Sequence, residues 1–307
     1  MRVLLLFTRA SIDNKQAYPE SLRRLIEANS SGQLKVDAAV YDDLSYVLSS
    51  SHVDVYLEAA ERSLREYDLV YLRRIKESTA QAIAIGKFCQ SNDIAVIDDE
   101  IASRPGSMGK LTQYMQFALS GLPFPDTIYS ADHSLLIRTL QKHPLAFPVI
   151  LKSVSGSRGA DNYLIASQRE LEDTLAQHPQ IHFLIQAYIP NSADYRVWVC
   201  GDSIGPILYR SRQSGHMNNT SQGGGATLLD ATSGLSQNVL DDCVRAARLL
   251  KRDVAGVDVV FENDNKAGKY YFFEVNRAPQ IEGTPYEDVK ARALADYMVQ
   301  QIKERQS

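Results

Sequence analysis

Val254-Ala-Gly-Val-Asp258-Val-Val-Phe-Glu262 and Lys269-Tyr-Tyr-Phe-Phe-Glu274-Val-Asn276 flank the short polar run Asn263-Asp-Asn-Lys-Ala-Gly268. Both flanks are rich in β-branched and aromatic residues, and the run between them has turn chemistry, so the segment predicts a β-hairpin. If Glu262 sits opposite Lys269 or Tyr270, Asp258 falls opposite Phe273 or Glu274. Alternate residues of a strand share a face, which puts Glu274 with Asn276. Asp258, Glu274 and Asn276 can then converge, all through oxygen atoms, from within apolar strands. Two carboxylates brought together out of water repel unless a cation lies between them. Mg²⁺ suits such a set, because it takes few carboxylates and completes its shell with water and substrate phosphate. The plainer alternative is an alternating hairpin whose acids face solvent.

The chain has 307 residues, 44% of them hydrophobic, enough for two or three lobes with a sizeable core. Its formal net charge of -4, without a basic block, gives no support for a nucleic-acid partner. Cys89, Cys200 and Cys243 are far apart and lack metal-ligand spacing, so they read as buried, reduced thiols of a cytoplasmic protein. The apolar run at residues 3–7 is too short for a signal-peptide core or a membrane span and reads as a buried first strand. No membrane partner is expected.

Residues 1–105 read as an α/β domain. Strands are predicted at 3–7, 69–72 and 94–97, with amphipathic helical stretches at 56–67 and 79–91, and this alternation implies a parallel sheet. No G-x-G-x-x-G follows the first strand, so no dinucleotide site is expected. Arg73 and Arg74 follow a strand end, where ligands of open α/β sheets bind. They can grip an anionic substrate or form a solvated surface pair. Ser103-Arg-Pro-Gly-Ser-Met-Gly109 is a breaker-rich linker, and a helix follows from Lys110 to about Ser120 before Gly121-Leu-Pro-Phe-Pro closes it. A central lobe at 106–190 contains strands at 147–151 and 181–188 and a helix at 168–177. A C-terminal lobe at 191–307 contains strands at 195–200 and 204–210, a helix at 239–250, the hairpin, and a helix at 289–303.

Lys152 ends an apolar strand and precedes Ser153-Val-Ser-Gly156-Ser157-Arg-Gly159. Serine and glycine let backbone N–H groups approach an anion and the lysine adds a point charge, although the same residues also make ordinary turns. Ile185-Gln186-Ala187-Tyr188-Ile189-Pro190 reads as a strand running into an inter-lobe connection, able to offer backbone groups to an adenine edge. Arg196 and Arg210 lie on consecutive strands and suit bidentate recognition of carboxylate or phosphate, as they suit surface ion pairs. They precede the glycine-rich run Asn218-Asn219-Thr-Ser-Gln222-Gly223-Gly-Gly225. Of the six histidines, none has ligand spacing, and His216 alone lies near a loop of interest. Met115 and the aromatics at 270–273 read as core.

Together these residues resemble a family. The order Lys110, Lys152-x-x-x-Gly156-Ser157-x-Gly159, Gln186, Asp194-Tyr-Arg196, Arg210, Asn219, Gly223-Gly224, Asp258, then Glu274-Val-Asn276-Arg-Ala-Pro279-Gln-Ile-Glu-Gly283 is similar to ATP-grasp enzymes. The RimK-like (ribosomal-protein modification) carboxylate–amine ligases are the nearest branch. The resemblance spans about Lys110 to Gly283 and implies an ATP-grasp fold of three lobes, mixing α/β and α+β, with an N-terminal parallel-sheet domain. It implies ATP and Mg²⁺, with Mn²⁺ as a substitute, and an amide bond formed through an acylphosphate between a carboxylate and an amine, carried by an amino acid, peptide or protein tail. Carried over residue by residue, Lys110, Lys152, Gly156, Ser157, Gly159 and Asn219 would approach the phosphates. Gln186, Ala187, Tyr188 and Ile189 would line adenine, and Asp194 would face the ribose. Asp258, Glu274 and Asn276 would hold the metal, and Arg210, with Arg196, would stabilise the transferred phosphoryl group. Such enzymes commonly form homo-oligomers.

The departures fall in the adenine segment, in the loop expected to face the acceptor or acyl donor, and after Pro279. Ala187 replaces a family glutamate, Gln222 and Met217 replace two arginines, and Gln280 replaces a glycine after Pro279. The acceptor of the ribosomal-protein-modifying enzymes therefore does not carry over with the fold. A catalytically inactive ATP-binding regulator of the same fold is the alternative reading, and retention of all three metal ligands, both lysines and Arg210 runs against it.

Overall fold

The computed structural model describes the chain except residues 16, 103–108, 155–160, 212–224, 230–233 and 307, and the side chains of residues 76 and 102. It begins with β1 (Arg2–Phe7), α1 (Arg9–Asp13), α2 (Pro19–Asn29), β2 (Lys35–Val40), β3 (Leu44–Leu48), β4 (Val53–Leu57), β5 (Arg62–Ser63), β6 (Leu69–Leu72), α3 (Thr79–Ser91) and β7 (Ala95–Ile97). The strands β2-β1-β6-β7 form a parallel sheet in that order. Val3 to Phe7 and Leu69 to Leu72 are fully buried, as expected of strands covered on both faces. The stretch at 56–67 is not the helix expected from its apolar spacing. It is the end of β4, two short 3₁₀ turns and β5, in a small antiparallel sheet β3-β4-β5. Left-handed Glu61 and the Ser63 cap break the run, and Ser63 Oγ donates to buried Asp54 at 2.7 Å.

The next elements are α4 (Lys110–Ser120), β8 (Thr127–Tyr129), α5 (His133–Lys142), β9 (Val149–Ser153), β10 (Asn162–Ile165), α6 (Gln168–Gln177) and β11 (Phe183–Ala187). The antiparallel sheet β10-β9-β11-β8 packs one face on α5 and α6 through Leu136, Leu140, Leu151, Leu171 and Phe183. On α4 the buried residues are Gln113, Tyr114 and Phe117, whereas Met115, read as core, is 54% exposed on the opposite side of the helix.

The remainder comprises β12 (Ala193–Cys200), β13 (Ser203–Ser211), β14 (Gly225–Leu229), α7 (Gln237–Leu249), β15 (Val254–Phe261), β16 (Tyr270–Arg277) and α8 (Glu287–Gln306). The order β14-β13-β12-β15-β16 makes an antiparallel sheet. One face supplies Tyr195, Val197, Val199, Ile207, Val257, Val259 and Phe272 to a core shared with α7. On the other face Trp198, Cys200 and Val254 pack with α8, and the same cluster reaches α2 and the N-terminal sheet. All three cysteines are buried and free. Among the described residues no helix is long and apolar enough to cross a membrane.

Candidate active site

The hairpin register carries one irregularity that builds the site. Phe261 pairs with Tyr270, Val260 with Tyr271 and Val259 with Phe272, but Asp258 pairs with Glu274, because a bulge leaves Phe273 without a partner. Strict alternation from Tyr270 and Phe272 would turn Glu274 toward the α7 core. The extra residue flips the parity, so Val275 enters that core while Glu274 and Asn276 join Asp258 on the opposite face. Glu262 does face Lys269, through its N–H to the Lys269 carbonyl at 3.0 Å.

On that face the pairings Asp194–Arg210 and Arg196–Asp258 line up across β13, β12 and β15. Arg196 donates from Nε and Nη2 to the two oxygens of Asp258, each at 2.7 Å. Arg210 grips Asp194 at 2.6 and 2.7 Å and reaches Asp258 Oδ1 at 3.1 Å. Burial works against the charge on both acids. Asp258 has two guanidiniums, Arg196 and then Arg210, which together hold its carboxyl below the usual range. Asp194 has Arg210 close by and Asp258 as a like-charged neighbour, and burial pushes it up to about 6. Asp194, read as facing a ribose, therefore spends both oxygens on Arg210.

Glu274 sits differently. Among the described residues no donor hydrogen-bonds its carboxylate, yet the peptide groups beside it are clamped. Tyr114 Oη donates to the Phe273 carbonyl at 2.8 Å, the Val275 N–H donates to Gln113 Oε1 at 3.0 Å, and Arg252 donates to the Val275 carbonyl. Asn276 Nδ2 donates to Asp258 Oδ2 at 3.4 Å, and its Oδ1 has no donor among the described residues. The described residues contain no group of three or more His, Cys, Asp or Glu placed to hold a metal ion by themselves. The set here is two carboxylates and an amide, all hard oxygen atoms, with one carboxylate and the amide oxygen uncommitted. That donor chemistry fits Mg²⁺ and does not suit a soft metal.

Lys152 has both Glu274 and Lys110 within electrostatic reach. Lys152 Nζ donates to Gln186 Oε1 at 2.5 Å, Gln186 Nε2 donates to Thr127 Oγ1 at 2.9 Å, and Lys152 also lies over the Phe273 ring. Burial pushes the Lys152 ammonium down to about 8, against the pull of Glu274 and with help from Lys110. Gln186 is buried with its amide fully used, and the Ala187 N–H is taken by the Asp126 carbonyl at 2.8 Å. Tyr188 and Ile189 make no backbone hydrogen bond among the described residues, so this connection has donors and acceptors to offer. Gly156, Ser157, Gly159, His216 and Asn219 lie outside the described residues.

Lys152 is expected to meet the ATP phosphates; an anion prefers the charged lysine, so binding there would raise its pKa. Affinity for ATP is therefore expected to be full below pH 8 and to fall as pH rises through about 8. In Lys152→Met the affinity drops at neutral pH and that pH dependence disappears. Calorimetry on both proteins across pH 6.5–9.5 checks this, and an equal slope in the two proteins refutes it.

Arg73 corrects the expectation of a solvated pair. It is 1% exposed, stacked near Phe7 and Tyr71, with Nη2 donating to the Pro279 carbonyl at 3.4 Å and no partner for Nε or Nη1. Arg74 is half-buried in a left-handed conformation. Sequence reasoning missed Gln113, Tyr114 and Arg252, whose task is to hold backbone. Gln113 lies one helical turn after Lys110, the one signal that placed it near the site.

The RimK-like ATP-grasp domain pattern matches residues 109–302. N-acetylaspartylglutamate synthase A of Homo sapiens is 24% identical over 279 residues, covering 85% of this chain and 67% of that protein. A probable alpha-L-glutamate ligase of Marinomonas sp. (strain MWYL1) is 26% identical over 289 residues, covering 92% of this chain and 91% of that protein. Among solved structures, the ATP-grasp ligase PsnB, in complex with a phosphomimetic variant of its minimal precursor, Mg and ADP, matches with a TM-score of 0.70. The identity is 17% over 97% of this chain and 98% of that one, a likeness of fold. Since the domain pattern takes in the whole stretch from the start of α4 into α8, the resemblance read from the motifs holds, and this chain belongs to the RimK-like ATP-grasp family of ATP-dependent ligases.

Proposed function

We propose that this chain joins the amine of an acidic amino acid, L-glutamate in the first instance, to a carboxylate substrate at the expense of ATP. The observation that carries the reading is the bulged pairing of Asp258 with Glu274, which supports a hard-cation donor set with two arginines on Asp258 and Lys152 within electrostatic reach of Glu274. The names of the relatives, a glutamate ligase and an N-acetylaspartylglutamate synthase, support glutamate as the amine.

In this reading the Tyr188–Ile189 backbone receives adenine, while Lys110 and Lys152 bind the phosphates. Asp258, Glu274 and Asn276 would hold Mg²⁺, which supplies charge neutralisation between the phosphate oxygens. A carboxylate oxygen attacks the γ-phosphorus and ADP leaves, giving an acylphosphate. The amine nitrogen then attacks the acyl carbon and inorganic phosphate leaves, with one proton released. Arg210 and Arg196, held rigidly by Asp194 and Asp258, offer fixed positive charge to the phosphoryl group in flight. Gln113 and Tyr114 keep the Glu274 peptide in place.

Phosphate release by purified protein with ATP and Mg²⁺ tests this reading. Release is expected only when L-glutamate and a carboxylate partner from a panel of acyl amino acids and acidic peptides are both present. Release that needs neither, or that other amines support better than L-glutamate, refutes the assignment.

A further inference from the structure

Lys290 stands in the first turn of α8, a helix of 20 residues, and is 2% exposed. Most of its surroundings disfavour an ammonium, with Glu287 pulling the other way. Burial penalises the charge, the helix macrodipole is positive at this end, and Arg196 and Arg210 add like charge across the packing of α8 on β12 and β13. Its one hydrogen bond among the described residues runs to the hydroxyl of Thr284 at 2.6 Å, leaving two protons without an acceptor.

The nearby acids are committed elsewhere. Glu287 accepts from the Gly283 N–H at 2.7 Å, Asp288 accepts from Asn29 Nδ2 at 3.1 Å, and Glu282 accepts from the Tyr18 and Ile281 N–H groups at 3.3 Å each. Asp194 and Asp258 belong to Arg210 and Arg196. Thr284 is fixed in its turn by its own donation to the Ile281 carbonyl at 2.5 Å. A buried lysine that forms no ion pair among the described residues is a cost that packing does not explain, since a methionine of similar shape would fill the space.

Position indicates what the charge serves. Lys152 lies over the ring of Phe273, next to Glu274, whereas Lys290 bonds Thr284 in the turn that follows Pro279, and Pro279 and Arg196 both crowd the backbone of Gly256. The phosphates belong with Lys152, so the second location is where the other reactant meets the transferred group.

We propose that Lys290 and the turn at residues 281–284 seat a free carboxylate of the amine-bearing substrate. The proposal rests on the ligase reading above. For an α-amino acid the carboxylate carbon is two bonds from the nitrogen, so a seat for it also aims the nucleophile at the acyl carbon.

The test uses the full-length protein with Mg²⁺ and ADP, titrated calorimetrically with L-glutamate, its γ-amide L-glutamine and its α-amide L-isoglutamine. In Lys290→Met the affinity for L-glutamate is expected to fall at least about tenfold, with ADP affinity within about twofold of wild type. The melting temperature should hold or rise, because a buried charge has been removed, whereas a lysine with a merely structural role would lower it. Lys290→Arg should recover part of the affinity. An amide that binds weakly and is indifferent to Lys290→Met identifies which carboxylate, α or γ, the seat holds. Unchanged L-glutamate affinity in Lys290→Met overturns the proposal, as does failure of the wild type to bind L-glutamate while ADP binds. Absence of nucleotide binding would instead overturn the ligase reading itself.

Discussion

Glu274→Ala should leave a folded protein that no longer turns over ATP. Phosphate release is expected to fall by about a hundredfold or more, the scale set by losing a charge-stabilising group at a phosphoryl-transfer centre. Stability should change little or improve. No donor among the described residues holds this carboxylate, and it faces Asp258 across the pair while drawing Lys152, so alanine removes a repulsion together with an attraction and breaks no hydrogen bond. The backbone around it stays clamped by Gln113 and Tyr114. Thermal unfolding and phosphate release measured on one preparation check both parts. Turnover within tenfold of wild type would contradict the metal assignment.

Arg210→Met should behave in the opposite way, with activity and stability lost together. Arg210 is buried and, among the described residues, is the sole bidentate partner of Asp194. Removing one member of a buried ion pair strands the other, at a typical cost of about 3–5 kcal/mol. Asp258 keeps Arg196 and is less affected. The double variant Asp194→Leu with Arg210→Met should regain most of the stability, since no charge is then stranded, and none of the activity, since the phosphoryl group still lacks its arginine. Denaturant unfolding of the single and double variants, paired with phosphate release, separates the two effects. If the double variant regained turnover, Arg210 would serve only to hold the fold.

Much of this site was legible in the chain. The hairpin declared itself through β-branched and aromatic flanks around a turn, and the shared face of Glu274 and Asn276 followed from alternation. What alternation alone does not give is the bulge. With Glu262 facing Lys269, regular pairing sets Asp258 against Phe273, and one unpaired residue moves Glu274 into place. Long-range partners were hidden for a related reason. Bidentate pairing of Arg210 with Asp194 depends on strand register across a sheet, and burial of Arg73 depends on the turn at Pro279 packing back over the N-terminal sheet. Neither leaves a local periodic trace. The region at 56–67 was misread because apolar residues at helical spacing also occur in a strand followed by two short turns, and left-handed Glu61 carries no sequence signal as strong as a glycine. Lys290 was invisible for a simpler reason. A lysine in the first turn of a polar-faced helix ordinarily points to solvent, and only the packing of α8 against β12 and β13 buries it.

The central claim is that the carboxylate is activated by direct phosphorylation at this site. Turnover of a carboxylate substrate labelled with ¹⁸O in both oxygens, with unlabelled ATP and L-glutamate, tests it most directly by mass spectrometry of the released phosphate. The acylphosphate route predicts one ¹⁸O atom in each phosphate formed and one retained in the amide carbonyl. Phosphate free of ¹⁸O, with turnover intact, would contradict it.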